Sequence, residues 1–147
     1  MFYFAEDQAK FMTACGQTVG TFNPTQARLY VRLVDEEAWE THIAKEKLWG
    51  HDESNLPTAK QLDAKVAELT DGLIDLIVVS LGALHSLGVD VNAAWDEVHR
   101  SNMAKVDPHT GKVERRADGK ILKPEGWTPP DLLSVVRKSW QPQEEPA

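Results

Sequence analysis

The chain has 147 residues, 41% of them hydrophobic and 27% charged, which is the size and balance of one globular domain. A formal net charge of −7 weighs against nonspecific nucleic-acid binding, which draws on a basic surface to displace phosphate counterions. The single cysteine, Cys15, excludes an intrachain disulfide, and the longest apolar run, Leu73 to Leu87, carries Asp75, Ser80, His85 and Ser86 and is too short and too polar to span a bilayer. The acids within MFYFAEDQAK leave no apolar stretch for an export signal, so the cytoplasm is the expected compartment.

Residues 5–19 have weak helical periodicity, with Ala5, Phe11, Met12, Cys15 and Val19 on one face, and Cys15 reads as a small buried apolar residue. Gly20 and the Asn23-Pro24-Thr25 turn end that segment, and a long helix is predicted from Thr25 to Leu48, with Pro24 at its start and Gly50 at its end. The stretch GHDESNLPT is a connector. A third helix is predicted from Thr58 to Leu87, with an apolar stripe of Leu62, Val66, Leu69 and Leu73 in its first half. From Ile74 onward it is apolar all round, which predicts burial on every side, within the chain or at a subunit interface. Asp90 can cap a fourth helix, Val91 to Ala104. Between Val106 and Lys123, turn dipeptides at Asp107-Pro108, Thr110-Gly111 and Asp118-Gly119 alternate with short extended pieces. Trp127 to Pro130 introduces a last short helix. The expected architecture is all-α: one domain over residues 1–140, built of four to five helices with a C-terminal loop or hairpin segment and completed by dimerisation, then a flexible tail at 141–147.

Carboxylates interrupt this apolar pattern. At 100° per residue, Glu36 and Glu40 stack in line with Leu29, Leu33 and Ile43, the stripe expected to enter a core. On the third helix Glu68, Asp71 and Asp75 fall within about 60° of one another. Burying an uncompensated carboxylate costs several kcal/mol, and two of them ~5 Å apart repel by roughly 3 kcal/mol at an effective dielectric of about 20. Salt bridges, protonation or a metal would relieve this. Arg28 and Arg32 are the nearest bases, and a hard divalent cation, Mg²⁺ or Mn²⁺, suits an all-carboxylate donor set better than zinc, for which no Cys/His spacing exists. A di-iron bundle would need Glu-x-x-His pairs, which are missing. A solvated acidic face is the plainer alternative, strongest for Glu68.

The pattern Glu36-Glu37-Ala38-Trp39-Glu40, followed after a gap by ExxD, resembles the MazG-like all-α nucleoside triphosphate pyrophosphohydrolases, relatives of phosphoribosyl-ATP pyrophosphohydrolase and the dimeric dUTPases. The second half has two placements. Glu68-Leu69-Thr70-Asp71 matches ExxD literally, whereas Asp75 followed by LIVVSLGALHSLG fits the family's apolar run, leaving Gly72 where the family has Glu. VHRSNMAK, Gly111, Asp118-Gly119-Lys120, Lys123-Pro124 and Pro129-Pro130-Asp131-Leu132 are similar to a small phage and bacterial subgroup, so the resemblance covers residues 10–136.

The resemblance implies Mg²⁺-dependent hydrolysis of a nucleoside triphosphate to the monophosphate and pyrophosphate in a homodimer or dimer of dimers, with Mn²⁺ able to substitute. It implies Glu37, Glu40, Asp71 and Asp75 as metal ligands, and Glu36 as a second-metal ligand or the residue that orients the attacking water. Glu36 and Glu37 are thus the catalytic candidates. Asn102 and Lys105 share one face of the fourth helix and are substrate-binding candidates, with His99 and Lys120 behind them and Glu68 the least placed of the acids. The basic residues of the 106–123 segment fit either a flap over phosphates or a solvated hairpin. Trp39 and Trp95 fit core positions better than stacking on a base. Competing readings are phosphoribosyl-ATP hydrolysis and a catalytically silent helical module whose acids organise a dimer or a partner.

Overall fold

In the computed structural model, described for residues 3–50 and 57–141, the first helix is α1 (Phe4–Ala14). It is shorter than the 5–19 segment expected from periodicity. Gly16, at φ 72°, allows a left-handed turn, and the amides of Gly16 and Gln17 return to the carbonyls of Thr13 and Met12 at 3.0 and 2.9 Å. That is the paired bonding of a Schellman stop, and it satisfies the carbonyls that a helix end leaves open. Cys15, expected to be buried, is exposed just past this end.

The second helix, α2 (Pro24–Trp49), starts where Asn23 accepts the Gln26 amide on its side-chain oxygen at 3.1 Å and proline fills the first helical position. The third is α3 (Ala59–Ser86). These helices form one unit, Met1–Gly88, and α2 and α3 make its main contact. Its core is small: Met12, Tyr30, Val79 and Ala83, flanked by Val19, Leu33, Val34 and Leu76. Glycine lets the two helices come close. A Cβ at Gly82 would lie 2.1 Å from the Tyr30 ring, and one at Gly72 would lie 2.9 Å from the Thr41 hydroxyl. The Tyr30 hydroxyl donates to Gln17 Oε1 at 2.7 Å. Gln26 ties the intervening loop down, donating to the Thr18 carbonyl at 2.7 Å and the Ser86 hydroxyl at 2.8 Å. On the α1 side, His85 Nε2 meets the Ala5 carbonyl at 2.8 Å.

This packing corrects two expectations. The stripe of Leu62, Val66 and Leu73 does not enter the core of this chain; all three are exposed, and Ile74 and Ile77, of the segment expected to be buried within the chain or at a subunit interface, are exposed in the single chain. The same holds for Leu29 and Ile43 of α2, so Glu36 and Glu40 stand on an exposed face. The reason lies in which residues make the α2–α3 contact. Helices approach closely where side chains are small, so Gly72, Gly82 and Ala83 face α2 while the larger leucines and isoleucines point elsewhere.

The second unit, Val89–Ala147, holds α4 (Val91–Met103) and α5 (Leu132–Ser139). Asp90 caps α4 through the Ala93 amide at 3.0 Å, and Asp131 caps α5 through the Ser134 amide at 3.1 Å. Between them, isolated antiparallel bridges pair Val106 with Val113 and Arg115 with Ile121, so the expected extended pieces form two short turns-back with no regular strand among the described residues. The Trp127–Asp131 corner is tied to α4: Trp127 Nε1 donates to the Ser101 carbonyl at 2.8 Å, Ser101 Oγ to the Thr128 carbonyl at 3.1 Å, and the Asp131 amide to Glu97 Oε1 at 2.8 Å. Arg100 grips the same carboxylate with two bonds of 2.9 and 2.8 Å. These bonds to its ionised form, the Arg100 fork first, hold Glu97 down from 4.5 to about 2. A depressed carboxylate contributes stability above its unfolded pKa, and that contribution disappears as pH falls through the folded value. Glu97→Gln should therefore loosen this corner at pH 7, and the difference from wild type should shrink between pH 4.5 and 2, as read by amide hydrogen exchange at Asp131. The expected tail, beginning at residue 141, lies outside the described residues from 142 on.

Candidate active site

Three contacts fix the antiparallel register of α2 on α3. Tyr30 lies beside Gly82, Thr41 beside Gly72, and the Lys47 carbonyl accepts the Lys65 ammonium at 2.6 Å. Counting along both helices from these contacts sets Glu37 level with Asp75 and Glu40 level with the turn that carries Asp71 and Gly72. Glu36, Glu37 and Glu40 of α2 are thereby gathered with Asp71 and Asp75 of α3 along one seam.

The charges acting on Glu37 come from these same residues. The Glu37 carboxyl is raised above its ordinary 4.5, first by desolvation, then by the charges of Glu40, Asp75, Glu36 and Asp71. No base among the described residues offsets them. Among the described residues none of these five acids makes an ion pair or hydrogen bond, and Arg28 and Arg32, the bases nearest in sequence, pair with none of them. The five side chains do not stand as a ready-made metal centre, because the described residues hold no group of three or more acids, histidines or cysteines poised to hold an ion. As a donor set they nevertheless suit one: every donor is a carboxylate oxygen, four of the five are exposed enough to turn, and their mutual repulsion is what a hard divalent cation relieves.

Glu68 is placed differently. Its carboxylate is ion-paired with Lys47, and it does not figure among the charges acting on Glu37. Gly72, the position where the family pattern has Glu, faces Thr41 within the α2–α3 contact, where a longer side chain would force the helices apart. Asp71, one residue earlier, clears that contact.

The other candidates belong to the second unit. Lys105 donates to Asn102 Oδ1 at 2.9 Å, and its ammonium stands 5.5 Å from the centre of the Trp127 ring. Lys123 covers the same ring at 4.1 Å. Two cations thus lie over the Trp127 ring, a contact that the spacing of Lys105, Lys123 and Trp127 in the sequence does not reveal. His99 is exposed on α4. Lys120 sits in the turn closed by Arg116, whose amide donates to the Lys120 carbonyl at 2.8 Å, while the Lys120 amide reaches Asp118 Oδ1 at 3.1 Å. Trp39 and Trp95, expected in a core, are 63% and 54% exposed, and Trp39 lies against His42 with ring centres 5.6 Å apart.

No curated protein matches the chain. The sequence model of a family described as phosphoribosyl-ATP pyrophosphohydrolase matches residues 12–102, more than half of the chain, spanning α2, α3 and the seam of acids between them. The chain therefore belongs to the phosphoribosyl-ATP pyrophosphohydrolase family, within the MazG-like all-α pyrophosphohydrolases, and is a hydrolase of phosphoanhydride bonds.

Proposed function

We propose that this protein hydrolyses nucleoside triphosphates to the monophosphate and pyrophosphate, using Mg²⁺ held by Glu37, Glu40, Asp71 and Asp75. The observation that carries the reading is the raised Glu37 carboxyl, pressed by four other acids with no base among the described residues to offset them. A site of that charge repels a triphosphate unless a cation intervenes. When bound, Mg²⁺ supplies neutralisation of both partners and polarisation of the scissile linkage, and Mn²⁺ can replace it. Glu36, on the same seam, is free to orient the attacking water. Asn102 and Lys105, with His99 and Lys120 behind them, stay the candidate phosphate- or base-binding groups of the second unit considered by itself. Glu68, already paired with Lys47, stays outside the metal set.

Phosphoribosyl-ATP is the second substrate reading, favoured by the family match itself. The silent-module reading loses ground because its signature, acids paired with Arg28 and Arg32, is not seen among the described residues. A Mg²⁺-dependent pyrophosphate-release screen over ribo- and deoxyribonucleoside triphosphates and phosphoribosyl-ATP separates these possibilities. Release from nucleoside triphosphates supports the proposal, and release from phosphoribosyl-ATP alone replaces it.

The unit Met1–Gly88 leaves a broad apolar face: Phe4 and Phe11 on α1, and Leu62, Val66, Leu73, Ile74 and Ile77 on α3, all between 43% and 60% exposed. Patches of this kind mark association surfaces. A second copy covers it, giving a dimer or a dimer of dimers. Light scattering should show a dimer or tetramer for wild type and a monomer for a Leu73→Lys/Ile77→Lys variant. A wild-type monomer at micromolar concentration with full activity would remove this part of the proposal. Among the described residues no single helix is long and apolar enough to cross a membrane, and the cytoplasm is the compartment proposed.

A further inference from the structure

In the second unit, Val89–Ala147, two lysines share one aromatic ring. The Lys123 ammonium lies 4.1 Å from the centre of the Trp127 ring, and that of Lys105 lies 5.5 Å from it. An ammonium is attracted to an indole face, but a second ammonium at the same ring is repelled by the first. Other cations of this unit are neutralised, Arg100 by Glu97 and Arg116 by Asp118. Among the described residues neither Lys105 nor Lys123 has a carboxylate partner. The ring that carries them is fixed, because its Nε1 donates to the Ser101 carbonyl at 2.8 Å. Lys105 also donates to Asn102 Oδ1 at 2.9 Å. An ammonium has donors only, so it takes the carbonyl end of that amide and leaves the Asn102 Nδ2 hydrogens unused. Two ammoniums and one amide therefore collect donors around a place with no acceptor, which suits an anion bearing several oxygens.

Lys105 extends this arrangement into a cleft of about 310 Å³, which it lines together with Val106, Leu122, Pro124, Asp107, Glu114 and Glu125. Asp107 is committed to its own turn, accepting the amides of His109 and Thr110 at 2.8 Å each. Glu114 and Glu125 make no ion pair or side-chain hydrogen bond among the described residues. A free carboxylate accepts hydrogen bonds from hydroxyls and repels a second anion. The lining thus fits a small molecule with one anionic end and hydroxyls along the rest. We propose that the second unit binds the phosphate monoester of a sugar, with Lys105, Lys123 and Asn102 on the phosphate and Glu114 and Glu125 on the hydroxyls. Trp127 is a positioning residue that holds the two ammoniums in place. The choice of phosphate over a carboxylate rests on the pyrophosphohydrolase reading above, whose monophosphate product and whose phosphoribosyl alternative both carry such a group.

The test is calorimetric binding of ribose 5-phosphate, AMP, inorganic phosphate and ribose to the full chain in EDTA, which removes any phosphate held through a metal. Ribose 5-phosphate or AMP should bind more tightly than inorganic phosphate or ribose. Tighter AMP assigns the group to a nucleotide, and tighter ribose 5-phosphate assigns it to a phosphoribosyl end. Lys105→Gln and Lys123→Gln should each weaken this binding by on the order of tenfold. Glu114→Ala/Glu125→Ala should bring the sugar phosphate down toward inorganic phosphate without weakening inorganic phosphate itself. Lys123, Glu114 and Glu125 are exposed, so their variants should fold. Trp127→Phe and Trp127→Leu both lose the bond to Ser101, but only phenylalanine keeps a ring under the ammoniums, so it should bind more tightly than leucine. Equal loss in those two variants overturns the positioning role. Equal sugar-phosphate affinity in wild type and the Lys105→Gln/Lys123→Gln double variant overturns the proposal, and so does a wild type that binds sugar phosphates no better than inorganic phosphate. If wild type releases pyrophosphate from a triphosphate and shows no such binding, this site falls while the pyrophosphohydrolase reading stands. Lysine-dependent binding in a protein that releases no pyrophosphate does the reverse.

Discussion

Glu40→Gln is expected to lower pyrophosphohydrolase turnover at least ~100-fold, a loss of about 3 kcal/mol of transition-state stabilisation, while leaving the fold intact. Glutamine keeps the shape of the side chain and removes its charge, so it is a poor ligand for a hard cation. The same change takes away the largest of the charges that oppose ionisation of Glu37. A carboxyl held above its ordinary pKa is a charge the folded state tolerates badly, and removing a neighbour of like sign relieves it at neutral pH. Metal-free Glu40→Gln should therefore resist urea at least as well as metal-free wild type, and saturating Mg²⁺ should raise its melting temperature less. Turnover near wild type would dismiss Glu40 as a ligand. Lost turnover with lost stability would assign it a structural role instead.

Gly82→Ala is expected to destabilise the Met1–Gly88 unit by about 3 kcal/mol or more, read as a fall in the urea midpoint. In an open helix the same substitution would stabilise by up to about 1 kcal/mol. Here the new methyl would sit 2.1, 2.4 and 2.6 Å from three atoms of the Tyr30 ring. The ring is buried and its hydroxyl is held by Gln17, so it cannot simply swing aside. Either the ring leaves its place or α2 and α3 separate, and separation also moves Glu37 away from Asp75. Activity should fall along with stability. In a Tyr30→Ala background the sign should reverse, because the methyl then enters space that the ring vacated. If Gly82→Ala is harmless in the wild-type background, the register of α2 on α3 is different from that described.

Much of this arrangement is legible in the sequence. Asn23-Pro24 and Gly50 bound α2, Asp90 starts α4, and helical periodicity alone puts Glu36, Glu37 and Glu40 together and Asp71 with Asp75. The failures share one cause. Apolar periodicity finds the large side chains, and it points to Leu62, Val66 and Leu73 as the core stripe of α3. The contact with α2 is instead made by Gly72, Val79, Gly82 and Ala83, whose small size is what lets Tyr30 and Thr41 approach. The large residues are left on the outside, where a second copy is proposed to cover them. Glu68 illustrates the same limit at the site. Its helical position matches that of Asp71 and Asp75, and only the tertiary register brings Lys47 to it. Gly16 carried a readable stop signal for α1, and periodicity continued past it only because Val19 happens to fall on the same face.

Mg²⁺-dependent pyrophosphate release from a nucleoside triphosphate, measured side by side for wild type, Asp75→Asn and Glu68→Gln, tests the acid seam most directly. Asp75 acts on Glu37 across the α2–α3 contact, whereas Glu68 is spent on Lys47. Wild type should release pyrophosphate and monophosphate in equal amounts, Asp75→Asn should lose nearly all of that activity, and Glu68→Gln should keep most of it. Activity abolished in Glu68→Gln and spared in Asp75→Asn would contradict this account and place the metal a turn away, on the literal Glu68-x-x-Asp71 pair.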